Sequence, residues 1–562
     1  MNLNIGFRPK LLDTLKKYSS ADFHADLVAG VTVGIVALPL AMAFAIASGV
    51  PPQAGIFTAV IAGILVSGLG GTKVSIGGPT GAFIVILYGI YVKYGAENLA
   101  ICTMLAGGLL LIMGVARLGV VIKYIPYPVT AGFTCGIAVL IFSTQIKDFC
   151  GLSIDKVPSD FLPKIASLAK HIGTVHWPTF LMSAASLAVI RLWPGRFNRR
   201  VPGSIVALIL ATLAACLFHL PIETIGSKFG DIPQRLPAPH LPLFEWGNLR
   251  NLVQPAVTIA LLAAIESLLC AVVADGMVDD QHDSNQELMA QGIANIVSPL
   301  FGGIAVTGAI ARTATNVKCG GRTPIAGITH GITLLFVILF AAPLAKFIPL
   351  ATLSAVLINV ALNMGEWHNL GRLVKWPRSD TAVFLVTLSL TVLIDLTVAV
   401  ETGMVLAAIL FIKQVSDTTQ ITAVDQHTET EGSHHSLIGK EIPVGVMVYR
   451  IFGSFFFGAA DKLEGALRPL KQEPDVLILR MRKVLAMDAT GLNALEDLHD
   501  RLRRHDKHLV LSGPHTQPLF MMDKAGFLDR LGRENVCANI EIALARAREL
   551  LRHSNLASRS QT

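Results

Sequence analysis

Long apolar runs alternate with short polar connections from Leu27 to Phe411, and polar residues dominate after Lys413. An apolar run of about 20 residues is long enough to cross the hydrocarbon core of a bilayer as a helix. Dividing the runs at their polar breaks predicts fourteen membrane-spanning segments, which begin near residues 27, 53, 79, 98, 126, 174, 202, 252, 286, 308, 324, 348, 379 and 397. The pattern therefore predicts a polytopic α-helical membrane protein with a polar C-terminal part.

Composition and charge agree with this division. Of the 562 residues, 52% are hydrophobic and 15% are charged, and the mean hydropathy is +0.58. The net charge of +7 does not indicate nucleic acid, because basic residues such as Arg117, Lys318 and Arg372 follow even-numbered segments. The positive-inside rule places those loops, and with them both termini, in the cytoplasm.

The seven cysteines include no closely spaced pair, so we expect neither disulfides nor a zinc site. A phosphate-binding glycine loop and a nucleophile with its base are also missing from the sequence. We therefore expect a protein that is not an enzyme and needs no cofactor or metal.

Two short glycine-rich stretches occupy matching places in the two halves of the chain. Residues 70–75 read GGTKVS and residues 302–307 read GGIAVT, and each precedes small residues and then a short apolar helix. The two helices are the third predicted segment of the first seven and the third of the second seven. Paired, interrupted segments in corresponding positions of two halves indicate the binding site of a transporter built from inverted repeats.

The chemistry of these stretches favours an anion. The N-terminus of each half-helix carries about half a positive charge, and Arg312 adds a full one near the second. Arg312 could instead be a loop residue on the cytoplasmic side. Thr80 could cap the first half-helix or donate a hydrogen bond to substrate, and capping is the commoner role of such a residue.

Glu266 lies in the middle of the eighth apolar segment, where a carboxyl group is costly. Such a group can exchange a proton as access to it alternates between the two sides of the membrane. A structural hydrogen bond or salt bridge between helices is the alternative. His330, which begins the eleventh segment, is expected to be a packed or interfacial histidine.

The C-terminal part alternates strand-like and helix-like runs from about residue 440, as an α/β domain does. We therefore expect an N-terminal segment at 1–24, a transport domain at 25–414, a linker at 415–439, an α/β domain at 440–553 and a tail at 554–562. Histidines 427, 434 and 435 of the linker are expected to be solvated rather than to bind metal.

Residues 25–63, 77–85, 124–140, 264–277 and 308–316 together resemble the SulP anion permeases, also called the solute carrier 26 family. The resemblance implies two inverted seven-helix repeats, a core domain that moves against a gate domain, and substrate held between the third and tenth segments. It also implies a bacterial inner-membrane location surrounded by lipid. Carried over by position, the implied anion site comprises Phe44, Thr80, Gly81, Ala82, Ala309, Ile310, Ala311 and Arg312.

Within that family the sequence looks similar to the bacterial C4-dicarboxylic acid transporters. The resemblance implies uptake of acids such as succinate, fumarate or aspartate. In the nearby sodium-coupled bicarbonate transporters, a hydroxyl of the tenth segment helps to bind sodium. The corresponding position here is Ile310, which offers no oxygen, so we expect a coupling proton carried by Glu266.

Two other functions stay open. One is a permease for sulfate, bicarbonate or another inorganic anion, by proton or sodium symport or by exchange. The other is a sensor that binds an anion without moving it and signals through the C-terminal domain.

The C-terminal part resembles the STAS domain of SulP proteins and of anti-sigma factor antagonists. In the antagonists a D-S-x-G loop carries a phosphorylated serine, whereas here the loop reads DATG. Only Thr490 could accept phosphate, so a scaffold for homodimer contacts and for packing of the membrane domain is the better expectation than a switch. Related domains suggest acyl carrier protein as a further partner.

Overall fold

The computed structural model describes most of the chain. The described residues are 7–122, 125–154, 157–158, 160–194, 202–231, 233–243, 249–394, 396–423, 440–467 and 474–559. The histidines expected to be solvated in the linker, 427, 434 and 435, lie outside these ranges. The chain divides into two compact units, Met1–Val405 and Leu406–Thr562.

Helices make up almost all of the regular structure in the first part of the chain. Their bounds are α1 Lys10–Leu15, α2 Ser20–Ala47, α3 Pro52–Leu69, α4 Ile84–Val115, α5 Gly119–Ile122, α6 Tyr127–Cys150, α7 Phe161–Lys170, α8 Trp177–Leu192, α9 Gly203–Leu217, α10 Ile225–Phe229, α11 Leu249–Val278, α12 Ser284–Leu300, α13 Ile310–Lys318, α14 Pro324–Ala345, α15 Leu350–Met364, α16 Trp367–Arg372, α17 Arg378–Leu393 and α18 Leu396–Thr418. A single 3₁₀ turn, Gly81–Phe83, leads into α4.

The predicted helical membrane architecture is confirmed. Thirteen of the fourteen predicted starts fall inside one of the described helices or within three residues of its first residue, and the start near residue 79 lies two residues before the 3₁₀ turn that leads into α4. The third and fourth segments form one continuous element, α4, interrupted at Gly95, whose φ of 84° is outside the helical range. Among the described residues, seven helices are long and apolar enough to span a membrane, and three apolar helices are shorter.

The two glycine-rich stretches meet in the middle of the fold. Strand β1, Gly77–Gly78, pairs antiparallel with strand β2, Thr307–Gly308. Each strand immediately precedes a half-helix, the first entering α4 through its 3₁₀ turn and the second entering α13. An antiparallel crossing of equivalent elements is the geometry that an inverted repeat requires.

The second unit contains a five-stranded sheet in the order β3-β4-β5-β6-β7. The strands are β3 Gln420–Ala423, β4 Val446–Phe452, β5 Val476–Lys483, β6 His508–Ser512 and β7 Val536–Cys537. Strand β3 is antiparallel to β4, and the other neighbours are parallel. Strand β3 belongs to this sheet although the sequence assigned its residues to a linker.

In the described part of this unit, five α-helices accompany the sheet: α19 Phe457–Leu467, α20 Ala489–Arg504, α21 Thr516–Lys524, α22 Phe527–Leu531 and α23 Ile540–Arg559. Successive residues of a strand point to opposite faces. Leu477 and Leu479 of β5 accordingly join the core that includes α20, and Val476 and Ile478 join the core that includes α23. The sheet is therefore buried on both faces, as the predicted α/β domain requires.

Candidate anion-binding site

Side chains of neighbouring helices satisfy the backbone of the first glycine-rich stretch. The N–H of Ile76 donates to Oγ1 of Thr313 at 3.0 Å, and Nδ2 of Asn316 donates to the carbonyl oxygen of Val74 at 2.9 Å. Both donor–acceptor pairs are buried. An irregular backbone at membrane depth is tolerated only where such partners or a wet cavity are present.

The second stretch is held in the same way. The Asn295 side chain accepts from the N–H of Val306 and donates to its carbonyl oxygen, both at 2.9 Å. Oγ of Ser267, on α11, accepts from the N–H of Gly308 at 3.1 Å. Side chains therefore fix the two strands that lead into the half-helices.

Thr80 occupies the N-cap position of the first half-helix, but its side chain makes no capping hydrogen bond. Instead its hydroxyl donates to Oε2 of Glu266 on α11, with 2.8 Å between the oxygens. Of the two roles considered for Thr80, side-chain capping is wrong. The contact places Glu266, the predicted proton carrier, beside the N-terminus of the first half-helix.

Arg312 is buried rather than part of an exposed loop, with only 3% of its surface accessible. Its Nη2 donates to the carbonyl oxygen of Pro79, at the entrance to the first half-helix, over 3.1 Å. Its Nη1 has no hydrogen-bond partner among the described residues. The guanidinium of the second half-helix therefore reaches across the crossing to the first.

Phe44, on α2, forms an apolar wall beside the first half-helix. A methyl group added at Gly81 would lie 3.4 Å from Cε1 of Phe44 and 3.0 Å from Cδ1 of Ile141. Ala82, the next residue, is fully buried. A residue larger than glycine at position 81 would therefore crowd Ile141 and Phe44 at the helix entrance.

The second half-helix begins at Ile310, with Ala309 as its N-cap residue. The N–H of Ala309 donates to the carbonyl oxygen of Ile76 at 2.8 Å, which ties this entrance to the first stretch. Ile310 is 41% exposed, and Ala311 is also exposed. The entrance thus combines a fixed backbone with small or apolar side chains.

The arrangement is suited to an anion. The first N–H groups of a helix have no acceptor within the helix, and each N-terminus attracts negative charge. Here two such ends converge beside one buried guanidinium. The carboxyl group of Glu266 is the opposing charge when it is ionised, so its protonation state changes the net charge of the site.

Several residues that shape the site were not singled out from the sequence. Thr307 Oγ1 lies 2.6 Å from Ser267 Oγ, and Thr313 Oγ1 lies 3.2 Å from Cys270 Sγ. Ser267 and Cys270 are three residues apart on α11, one turn along the same face. Small polar residues at helical spacing beside Glu266 were the available signal.

Thr490 lies in the second unit, exposed in the first turn of α20. The helix is capped by Asp488, whose side chain accepts from the N–H of Gly491 at 2.8 Å. The DATG loop therefore acts as a helix N-terminus that presents Thr490 to solvent.

Comparison with known proteins covers both parts of the chain. Residues 23–387 match the Sulfate permease family, and residues 438–543 match the STAS domain. Over 522 residues the chain is 42% identical to “Putative sulfate transporter YvdB” of Bacillus subtilis (strain 168), an alignment that covers 92% of this chain and 97% of that protein.

Solved structures of other transporters are similar to this one. The transmembrane domain of the bicarbonate transporter BicA from a cyanobacterium has a TM-score of 0.62 and 31% identity, over 70% of this chain and 99% of that one. Murine Solute Carrier 26 family member A9, an anion transporter in the inward-facing state, has a TM-score of 0.86 over 97% of this chain and 94% of that one. The identity to the murine protein is 18%, so that likeness shows the fold alone. By family match and by fold, the chain belongs to the sulfate permease (SulP) family of anion transporters and ends in a STAS domain.

Proposed function

We propose that this protein is a secondary transporter of an inorganic oxyanion, with sulfate as the first candidate and bicarbonate as the second. The observation that supports this proposal most directly is the buried guanidinium of Arg312, which lies where the N-termini of two half-helices converge. A charged side chain at membrane depth marks a substrate or ion site by default.

The relatives support an inorganic anion more than a C4-dicarboxylate. The bacillus relative bears the name of a sulfate transporter and the cyanobacterial one that of a bicarbonate transporter. Both similarities extend through the segments that form the crossing. Uptake of succinate, fumarate or aspartate, which the sequence resemblance implied, is therefore retained only as a competitor to be tested.

The charges of the site match a dianion. Two helix ends and Arg312 together supply roughly two positive charges, and an ionised Glu266 cancels about one of them. Protonation of Glu266 restores the balance. We therefore assign Glu266 the coupling proton, taken up as sulfate binds and released with it on the other side.

Each predicted site residue has a role in this scheme. The backbone N–H groups of Thr80, Gly81 and Ala82 at one entrance, and those of Ile310, Ala311 and Arg312 at the other, receive the oxyanion. Ala309 anchors the second entrance, because its N–H is bound to Ile76, and Phe44 excludes water from one side. Ile310 lacks an oxygen that could bind sodium, so the coupling ion is a proton. The proposal places the transporter in the bacterial inner membrane with both termini in the cytoplasm, as a homodimer.

The test is uptake of radiolabelled sulfate by proteoliposomes with an inward proton gradient, with and without sodium. Unlabelled bicarbonate and succinate serve as competitors, and protein-free liposomes as the control. Proton-dependent, sodium-independent sulfate accumulation is expected. If bicarbonate or succinate is transported and sulfate is not, the assignment of sulfate as the substrate is wrong. If the protein binds one of the three anions but transports none of them, it is a sensor.

A further inference from the structure

His330 is buried in the same region as Arg312 but has no partner of its own. The histidine lies on α14, is fully buried, and neither ring nitrogen has a hydrogen-bond partner among the described residues. Nη1 of Arg312 is unpartnered as well. Three buried polar nitrogens of α13 and α14 therefore have no hydrogen-bond partner among the described residues, whereas most buried polar groups in proteins are paired with protein or ordered water.

The glycines of β1 and α3 place these nitrogens relative to each other. A methyl group at Gly63 would lie 3.3 Å from Nδ1 of His330 and 3.3 Å from the carbonyl oxygen of Gly77, and a methyl group at Gly78 would overlap Nη1 of Arg312. Gly63 thus lies between the imidazole and the carbonyl group of Gly77, while the guanidinium lies against Gly78, the next residue of the same strand.

A bridging water fits the donors and acceptors present. A guanidinium only donates, whereas a neutral imidazole has one donor and one acceptor nitrogen. No direct bond joins Nη1 to the ring. A water molecule can accept from Nη1 and donate to the imidazole, and buried waters typically join two to four such groups.

We propose that His330 is a positioning residue, which holds Arg312 through a shared internal water so that the guanidinium stays at the carbonyl oxygen of Pro79. In this proposal the imidazole binds the shared water and does not contact the anion. This inference rests on the proposed function, because it gives Arg312 a role in anion binding. Loss of the ring nitrogens should then weaken anion binding through Arg312.

The first test replaces His330 and measures sulfate transport. His330→Phe keeps a ring of similar size without nitrogens, and it should raise KM for sulfate at least fivefold with a much smaller change in maximal rate. His330→Asn places an amide near the Nδ1 position and His330→Gln near Nε2, and at least one should restore KM. His24→Phe, at an exposed histidine of α2, is the matched control and should leave KM unchanged.

A purely structural role predicts a different result. His330→Phe would then lower the maximal rate and the thermal midpoint while KM stays at the wild-type value, and that outcome overturns the proposal. Failure of both amide variants to restore KM would also overturn it. If His330→Phe does not fold, Gly63→Ala, which crowds the same ring from α3, should raise KM instead.

A second measurement separates this inference from the choice of substrate. Thermal unfolding midpoints are determined in detergent for His330→Phe, Arg312→Gln and the double variant. Coupling through a shared water makes the two shifts non-additive, because the second substitution breaks a bridge that the first has already removed. Additive shifts would overturn the positioning role even if sulfate is transported, and non-additive shifts would support it even if the transported anion is another one.

Discussion

The hydroxyl of Thr80 donates a hydrogen bond to the carboxyl group of Glu266, although the two residues are 186 positions apart in the chain. The bond joins the N-terminus of the first half-helix to the middle of α11. It places the acid expected to carry a proton beside the backbone expected to bind the anion. Movement of either helix end would therefore change the surroundings of the carboxyl group.

Replacing Thr80 by Val should impair transport, because the variant keeps the side-chain shape and loses the donor to Glu266. A hydrogen bond to a charged group contributes about 1.5 to 3 kcal/mol, so we expect a loss of roughly 10-fold or more in initial sulfate uptake. Thr80→Ser retains the hydroxyl and is the matched control. Equal activity of the Val and Ser variants would show that the bond has no role in transport.

Replacing Glu266 by Gln should uncouple transport from the proton gradient. The amide oxygen can still accept from Thr80, but the side chain no longer exchanges a proton or carries charge. Sulfate counterflow should persist while accumulation driven by an inward proton gradient falls to near equilibrium. Glu97→Gln, at an exposed carboxyl group, should behave as wild type. Full proton-driven accumulation of sulfate by the Glu266 variant would show that Glu266 does not carry the coupling proton.

Replacing Gly78 by Ala should displace the Arg312 guanidinium, because the added methyl group would overlap Nη1. The expected result is a KM for sulfate raised by roughly 10-fold, the effect of about 1.4 kcal/mol. Gly89→Ala is the matched control, since a methyl group there meets no atom within 4 Å. If both variants have the wild-type KM, the packing of Arg312 against β1 is unimportant for binding.

The positions of the helices could be predicted because membrane depth imposes a simple rule on composition. Apolar runs such as the one that forms α11 must span the bilayer, and the glycines of residues 70–78 cannot sit in lipid unless protein surrounds them. The repeat of GGTKVS and GGIAVT therefore predicted a crossing, which the pairing of Gly77 with Gly308 forms.

The partners within the site could not be predicted, because they depend on tertiary geometry. Thr80 follows a proline and precedes a helix, which is a common N-cap setting, yet its hydroxyl faces Glu266. Arg312 lies between alanine and threonine, and only the fold shows that Pro79 accepts from it. His330 has an ordinary sequence context, and its relation to Arg312 comes from residues of three separate elements.

Replacing Asp488 by Ala should destabilise the start of α20 in the second unit. Loss of an N-cap side chain typically costs about 1 kcal/mol, so the N–H of Gly491 should exchange with solvent roughly fivefold faster. Hydrogen exchange of the full-length protein, read by mass spectrometry over residues 488–504, measures this change. Asp500→Ala, at an exposed position later in the same helix, should leave the exchange at Gly491 unaltered.

The central claim is that Arg312 binds the anion at the crossing of the two half-helices. Equilibrium binding of radiolabelled sulfate to the purified protein tests it most directly, with Arg312→Gln compared against wild type and against Arg372→Gln, an exposed arginine of α16. Losing one partner of a buried charge pair costs about 2 to 5 kcal/mol. The account predicts that Arg312→Gln weakens sulfate binding by roughly 30-fold or more while Arg372→Gln binds as wild type; wild-type affinity in the folded Arg312 variant would contradict it.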